Sequence, residues 1–252
     1  MPNQTIDLMM NRKSIRKYKP DVPSDEIIHT IVNAGLQAPF AAQLCSLIIT
    51  RDIDKHPYEA PIAFYFLLDF HRMELIMKKR GWENICCNLW MYHLGMQDVT
   101  LAGENMVMAA ESLGLGSCYI GMTPFAAKQI ATRHKIPKRV LPVVQLVMGY
   151  PDEKKPPRPR YPLDFSLFEN EYPEFTDEQI EKAMKVMDDG YLAQDYYRNP
   201  DFMIPLQDGR EETYNFDNYS WTEHISRKWG QWEPSPEKLL KQFENCDFDL
   251  TK

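Results

Sequence analysis

The sequence predicts a fold containing both helices and strands, and it disfavours a Rossmann domain. Three observations carry this. Apolar runs at Leu47–Thr50, Pro61–Leu68 and Val140–Met148 have the length and composition of buried strands. Other segments carry apolar residues at helical spacing, the clearest being Ile27, Ile28, Ile31 and Val32. The glycine-rich stretch Leu113–Gly121 has Tyr119 where a dinucleotide fingerprint needs its third glycine.

Taken in order, Thr5 is expected to cap a short first helix that delivers Arg12 and Lys13. A second helix should open at Ser24, with Asp25 and Glu26 placing negative charge at its positive end. It should stop before Pro39, because a residue preceding proline is pushed out of the helical region. Phe40–Gln43 reads as a turn feeding the first strand. Residues 71–97 are helical in pattern and rich in Met, Trp and Cys, with a break at Gly81-Trp82, and read as a helical insertion. Asp98 is expected to cap the next helix, whose apolar surface suits a deep core or a subunit interface. Pro124–His134 should form a helix ended by Pro137. Thr176-Asp177-Glu178-Gln179 is a capping box, with Ile180, Ala183, Met184 and Met187 as the buried stripe behind it. Tyr191–Trp232 is dense in Tyr, Trp and Asn without periodicity and is expected to wrap a surface rather than form a core. Ser235-Pro236 opens a final helix.

A chain of 252 residues suits one domain with an appendage, and the expected division is 1–165 and 166–252. The net charge of −7 argues against a nucleic-acid binder, so a basic cluster must serve a small anion. The five cysteines are odd in number and lack Cys-x-x-Cys, which argues against a disulfide framework or zinc site and favours a reducing, cytoplasmic compartment. The six histidines show no ligand spacing, and no metal is expected. No secretory signal or bilayer-length apolar run is visible, so no membrane association is expected.

Two clusters carry chemistry. Arg12-Lys13-Ser14-Ile15-Arg16-Lys17 puts four cations and a hydroxyl in six residues, a group able to grip a phosphate with charge-assisted hydrogen bonds. Lys154-Lys155-Pro156-Pro157-Arg158-Pro159-Arg160 presents further cations on a proline-stiffened, extended backbone.

These segments stand in a fixed order with Ala38–Gln43 before a strand, Asn105 in an apolar helix, Gly114–Gly121, and a strand ending Met148-Gly149-Tyr150-Pro151. The ordered set, spanning about residues 3 to 165, resembles the FMN-dependent nitroreductase family. The resemblance implies an α+β fold with a central mixed, mostly antiparallel sheet flanked by helices, in an intertwined homodimer. It implies that Arg12, Lys13 and Ser14 hold the FMN phosphate and ribityl chain, with Arg16 near the pyrimidine edge of the flavin. Pro39, Phe40, Ala41 and Gln43 would reach the flavin from the partner subunit. The backbone of Tyr119, Ile120 and Gly121 would lie by the reactive flavin nitrogen, and Arg158 and Arg160 would complete the phosphate site.

The chain departs from the family where Phe40 replaces a common serine, Gln43 an asparagine, Cys45 a glutamine, and Ser46-Leu47 a Pro-Trp pair. A more apolar substrate face is therefore expected. The implied activity is an oxidoreductase passing hydride from NADH or NADPH through FMN to a nitroaromatic, quinone or similar acceptor by a ping-pong mechanism. The cofactor carries the chemistry, so no catalytic side chain is assigned. The rival readings are a flavin-binding or storage protein, or a flavoprotein fed by a protein donor, without NAD(P)H activity. A further rival is an interaction protein that has lost the flavin.

Overall fold

The computed structural model describes residues 3–207, 209–231 and 234–251. They form two compact units, Met1–Lys155 with Ser235–Lys252, and Pro156–Pro234. The division thus falls at 155 rather than 165, and the closing helix belongs to the first unit.

The first unit is built on a four-stranded sheet: β1 (Cys45–Thr50), β2 (Ile62–Asp69), β3 (Gly116–Ile120) and β4 (Val140–Gly149), in the order β1-β2-β4-β3. Every pair is antiparallel. All eight residues of β2 are buried, as its unbroken apolar run requires of a central strand covered on both faces. The β2–β4 register shifts between Phe66 and Leu67, opposite Pro142, a residue with no amide to donate to the ladder. One face of the sheet carries Phe64, Phe66 and Leu68 into the main core, with Ile31, Ala102 and Met106. On the reverse face Tyr65 and Leu67 cluster with Ile130 and Val140.

Six helices complete this unit: α1 (Gln4–Asn11), α2 (Asp25–Leu36), α3 (Phe70–Lys79), α4 (Asn88–Ser112), α5 (Ala127–Arg133) and, at the end of the chain, α8 (Pro236–Asn245). Ser24 caps α2, its hydroxyl accepting from Ile27. The cap of α1 is Asn3, whose side chain accepts from Thr5 and Ile6, so Thr5 is not the cap. The helical pattern of 71–97 divides into α3 and the first turns of α4, which runs unbroken through Asp98. Asp98 therefore caps no helix of its own. A fourth strand, β3, occupies Gly116–Ile120 in the glycine-rich stretch.

The C-terminal residues are tied to the sheet through Arg139. Its guanidinium donates to Glu74 at 2.7 and 2.9 Å, to Asn88 Oδ1 at 3.0 Å and to the Asp247 carbonyl at 3.0 Å. It also lies over the rings of Phe70 and Phe248.

The second unit contains α6 (Asp177–Leu192) and α7 (Trp221–Gln231). The Thr176–Gln179 capping box is formed in full. Of the expected stripe, Ala183 and Met187 are buried, while Ile180 and Met184 are exposed. The aromatic segment does form a core: Met187, Tyr191, Tyr197 and Tyr219 are buried together, with Tyr214, Phe216 and Trp221 against them. Trp232 lies outside the described residues. The Arg227 side chain is 2% exposed, and it is paired with Glu212 and Glu223 between the rings of Tyr214 and Tyr219.

Candidate functional site

The basic segment is clamped to the edge of the sheet. The Ile15 amide donates to the Ser117 carbonyl at 2.9 Å, and Ser14 bridges Ser117 in parallel sense. Beyond it, Lys19 donates to the Tyr150 carbonyl, Asp152 donates to the Lys17 carbonyl, and Tyr18 bridges Pro151. The Arg16 amide donates to the Glu153 carboxylate at 2.6 Å. Burial alone would raise the Glu153 pKa; the amides of Arg16 and Lys17 and the Lys155 ammonium instead bring it below its ordinary value. Gly116 permits the close approach. A Cβ there would stand 2.4 Å from Ile15 Cγ1 and 2.8 Å from Ile15 Cβ.

Two polar atoms on this clamp are orphaned. Arg12 Nε and Ser117 Oγ are both buried with no hydrogen-bond partner among the described residues. Buried polar groups are rarely left so, since each costs about 1–3 kcal/mol unless something pairs it. A donor of permanent charge and a hydroxyl beside Ser14 suit an anionic oxygen. Glu111 lies close by, its carboxylate accepting the Lys13 amide. Burial raises its pKa, and Arg12 and Lys13 pull it down. Arg16 and Tyr18 stand in the wall of an open cavity of about 660 Å³, lined also by His56 and Tyr58.

At the end of β3, Tyr119 and Ile120 are half-buried and Gly121 is exposed. A Cβ at Gly121 would meet no protein atom within 4 Å. The protein itself therefore does not demand glycine here, and the space beside this backbone is open.

The turn before β1 is held from below. Asp98, 3% exposed, accepts the amides of Ala41 at 2.6 Å, Ala42 at 3.2 Å and Leu44 at 2.9 Å. Gln43 adopts a left-handed φ of 51°, and its carbonyl accepts from Arg72. Pro39, Phe40, Ala41 and Gln43 are thereby presented to solvent, with Phe40 56% exposed. Burial pushes the neighbouring Cys45 thiol up to about 12.

Arg158 and Arg160 belong to the second unit. Arg158 lies 4.8 Å over the Tyr196 ring and hydrogen-bonds the Tyr191 side chain. Arg160 donates to the carbonyls of Arg158 and Pro159 at 3.0 Å. The first unit thus assembles residues 12–16 with β3, and fixes the 39–43 turn on α4. The sequence marked Asp98 only as a helix cap, whereas it holds the 41–44 amides; Ser117, inside the glycine-rich stretch, and Glu153 carried no expected role.

Fold and site together define an α+β protein with a basic segment laid along a sheet edge. The model described as the nitroreductase family matches residues 9–150. A CR(VI) reductase of Pseudomonas sp. (strain G-1) is 30% identical over 207 residues, 77% of this chain and 83% of that protein. The FMN reductase (NADPH) of Bacillus subtilis (strain 168) is 29% identical over 229 residues, 84% of this chain and 89% of that one. Among solved structures, NfrA1 of B. megaterium matches with a TM-score of 0.78 and 27% identity, over 95% of this chain and 98% of that chain. The chain belongs to the nitroreductase family.

Proposed function

We infer that this protein is an FMN-dependent oxidoreductase that takes hydride from NAD(P)H and passes electrons to an acceptor. The observation that carries the reading is the clamped basic segment with its orphaned Arg12 Nε and Ser117 Oγ, in a chain of the nitroreductase family. Relatives named FMN reductase (NADPH) and NADPH-flavin oxidoreductase support both cofactor and donor. Bound FMN supplies the redox chemistry, exchanging hydride and electrons between donor and acceptor.

The chain's own residues bind and orient. Arg12, Lys13 and Ser14 would hold the phosphate and ribityl chain, with Arg158 and Arg160 as further cations. Arg16 is a permanent cation, and a cation beside a group that gains negative charge on reduction raises its potential. The backbone at Tyr119, Ile120 and Gly121 would lie against the ring, where the open space beside Gly121 supports close approach. Pro39, Phe40, Ala41 and Gln43 would face the flavin from the partner subunit of a homodimer. An exposed Phe40 in place of a hydroxyl favours a flat apolar acceptor, a quinone or nitroaromatic. No helix among the described residues is long and apolar enough to cross a membrane, and we assign the protein to the cytoplasm.

Three measurements test this reading. Arg12→Gln and Arg158→Gln should each weaken FMN binding about tenfold or more, as loss of a charge-assisted hydrogen bond implies. Unchanged affinity in both would remove the phosphate assignment. Initial rates with NADPH and a quinone should give parallel double-reciprocal lines, whereas intersecting lines would replace alternating occupancy by a ternary complex. Light scattering should return twice the chain mass of 29.6 kDa.

A further inference from the structure

The reverse face of the sheet holds a second cavity that the flavin reading does not use. Tyr65, Gln145 and Ile120 stand side by side there, because Gln145 on β4 pairs with Tyr65 on β2 and with Ile120 on β3. The loop after β3 and helix α5 leave a cavity of about 250 Å³ over them, walled also by Met122, Ile130 and Arg133.

Gln145 is the anomaly. Its neighbours in β4 are Val144 and Leu146, it sits in the middle of the sheet, and it is 5% exposed. Its side chain lines the cavity, and its Nε2 is buried with no hydrogen-bond partner among the described residues. An apolar residue would avoid the cost of about 1–3 kcal/mol that an unpaired buried amide imposes. A glutamine in that place is explained by an acceptor that enters the cavity.

The chemistry of the wall narrows the acceptor. Among the described residues that line the cavity, Arg133 alone is charged and none is a carboxylate; Arg133 hydrogen-bonds the Tyr65 hydroxyl. Donors and a permanent cation therefore meet an apolar surface of Ile120, Met122 and Ile130. An apolar cavity of about 150 Å³ holds benzene, so about 250 Å³ accommodates one ring with a polar substituent.

We propose that this cavity is a binding site for a small aromatic carboxylate, its oxygens accepting from Gln145 and Arg133 and its ring packed on Ile120, Met122 and Ile130. Ile120 and Met122 flank Gly121, so occupancy adjoins the strand end that the flavin reading uses. The site itself requires no flavin, and the two readings fail separately.

The test is calorimetric titration of the full-length, FMN-saturated protein with benzoate, and with benzyl alcohol as the uncharged control. The expected result is saturable benzoate binding at one site per chain, weakened about tenfold or more by Gln145→Leu and by Arg133→Gln, with benzyl alcohol weaker than benzoate. Gln145→Leu should also melt higher, since it removes an unpaired buried amide. Arg133 is exposed at the rim, so Arg133→Gln keeps the test decisive if the core variant fails to fold. Absence of saturable binding would mean that the cavity holds water only and would overturn the proposal. Binding that neither variant alters would place benzoate elsewhere and overturn it equally.

Discussion

The Asp98 carboxylate, midway along α4, accepts the Ala41 amide at 2.6 Å and holds the turn that presents Phe40 to solvent. A buried charge survives in a helix interior only when hydrogen bonds replace its water. Three backbone amides do so here. Asp98→Asn sets an amide donor against these donors, and Asp98→Ala leaves them unpaired. Either change should cost about 2–4 kcal/mol of stability in urea unfolding. Flavin affinity should fall in parallel, because the 39–43 turn loses its support. Unaltered unfolding would show that the turn is held by other means.

The asymmetry between Gly116 and Gly121 makes a second expectation. Gly116→Ala drives a Cβ into Ile15, and overpacking of this kind typically costs about 1–3 kcal/mol. The basic segment should be displaced, and fluorescence titration should show FMN affinity reduced about tenfold. Gly121→Ala meets no protein atom, so the apoprotein should melt as before while flavin binding weakens.

Arg139 joins α3, α4 and the C-terminal residues by four hydrogen bonds. Arg139→Ala leaves the half-buried Glu74 carboxylate with Asn84 but no cation, and should lower stability by about 2–3 kcal/mol. Thermal unfolding of the two proteins measures it directly. Arg139→Lys should recover only part of the loss, since an ammonium cannot reproduce the fork.

The second unit carries a pH signature. The Arg227 guanidinium, with the Tyr214 amide, holds the Glu212 carboxyl well below the usual range, at about 2. A carboxylate depressed in the folded state contributes stability above its unfolded pKa and loses it as pH falls through the folded value. The melting temperature gap between the natural protein and Glu212→Gln should therefore be constant above about pH 5. It should close as pH falls from about 4.5 towards 2. A gap independent of pH over that window would mean that Glu212 is not ionised in the pair.

Local signals were legible and distant ones were not. Ser24 and Thr176 announce their helices because a cap depends on residues three positions away. The runs that became β1, β2 and β4 are apolar enough to stand out. β3 escaped because the glycine-rich stretch around it carries no long apolar run, and pairing with β4 is what makes Gly116–Ile120 a strand. Asp98 looked like a helix cap because its partners lie 54 to 57 residues upstream. The tyrosines beyond Tyr191 lack periodicity, so their common core is visible only once α6 and α7 are placed. The basic segment was legible as a cluster of four cations and a hydroxyl. Its clamp to Ser117, and the orphaned Arg12 Nε, depend on folding.

The most direct measurement is the visible spectrum of the purified protein under anaerobic conditions, before and after NADPH and then NADH. Bound FMN whose absorption bleaches with a nicotinamide is the expected result. FMN that binds but stays oxidised with both donors, or a protein that takes up no FMN, would contradict it.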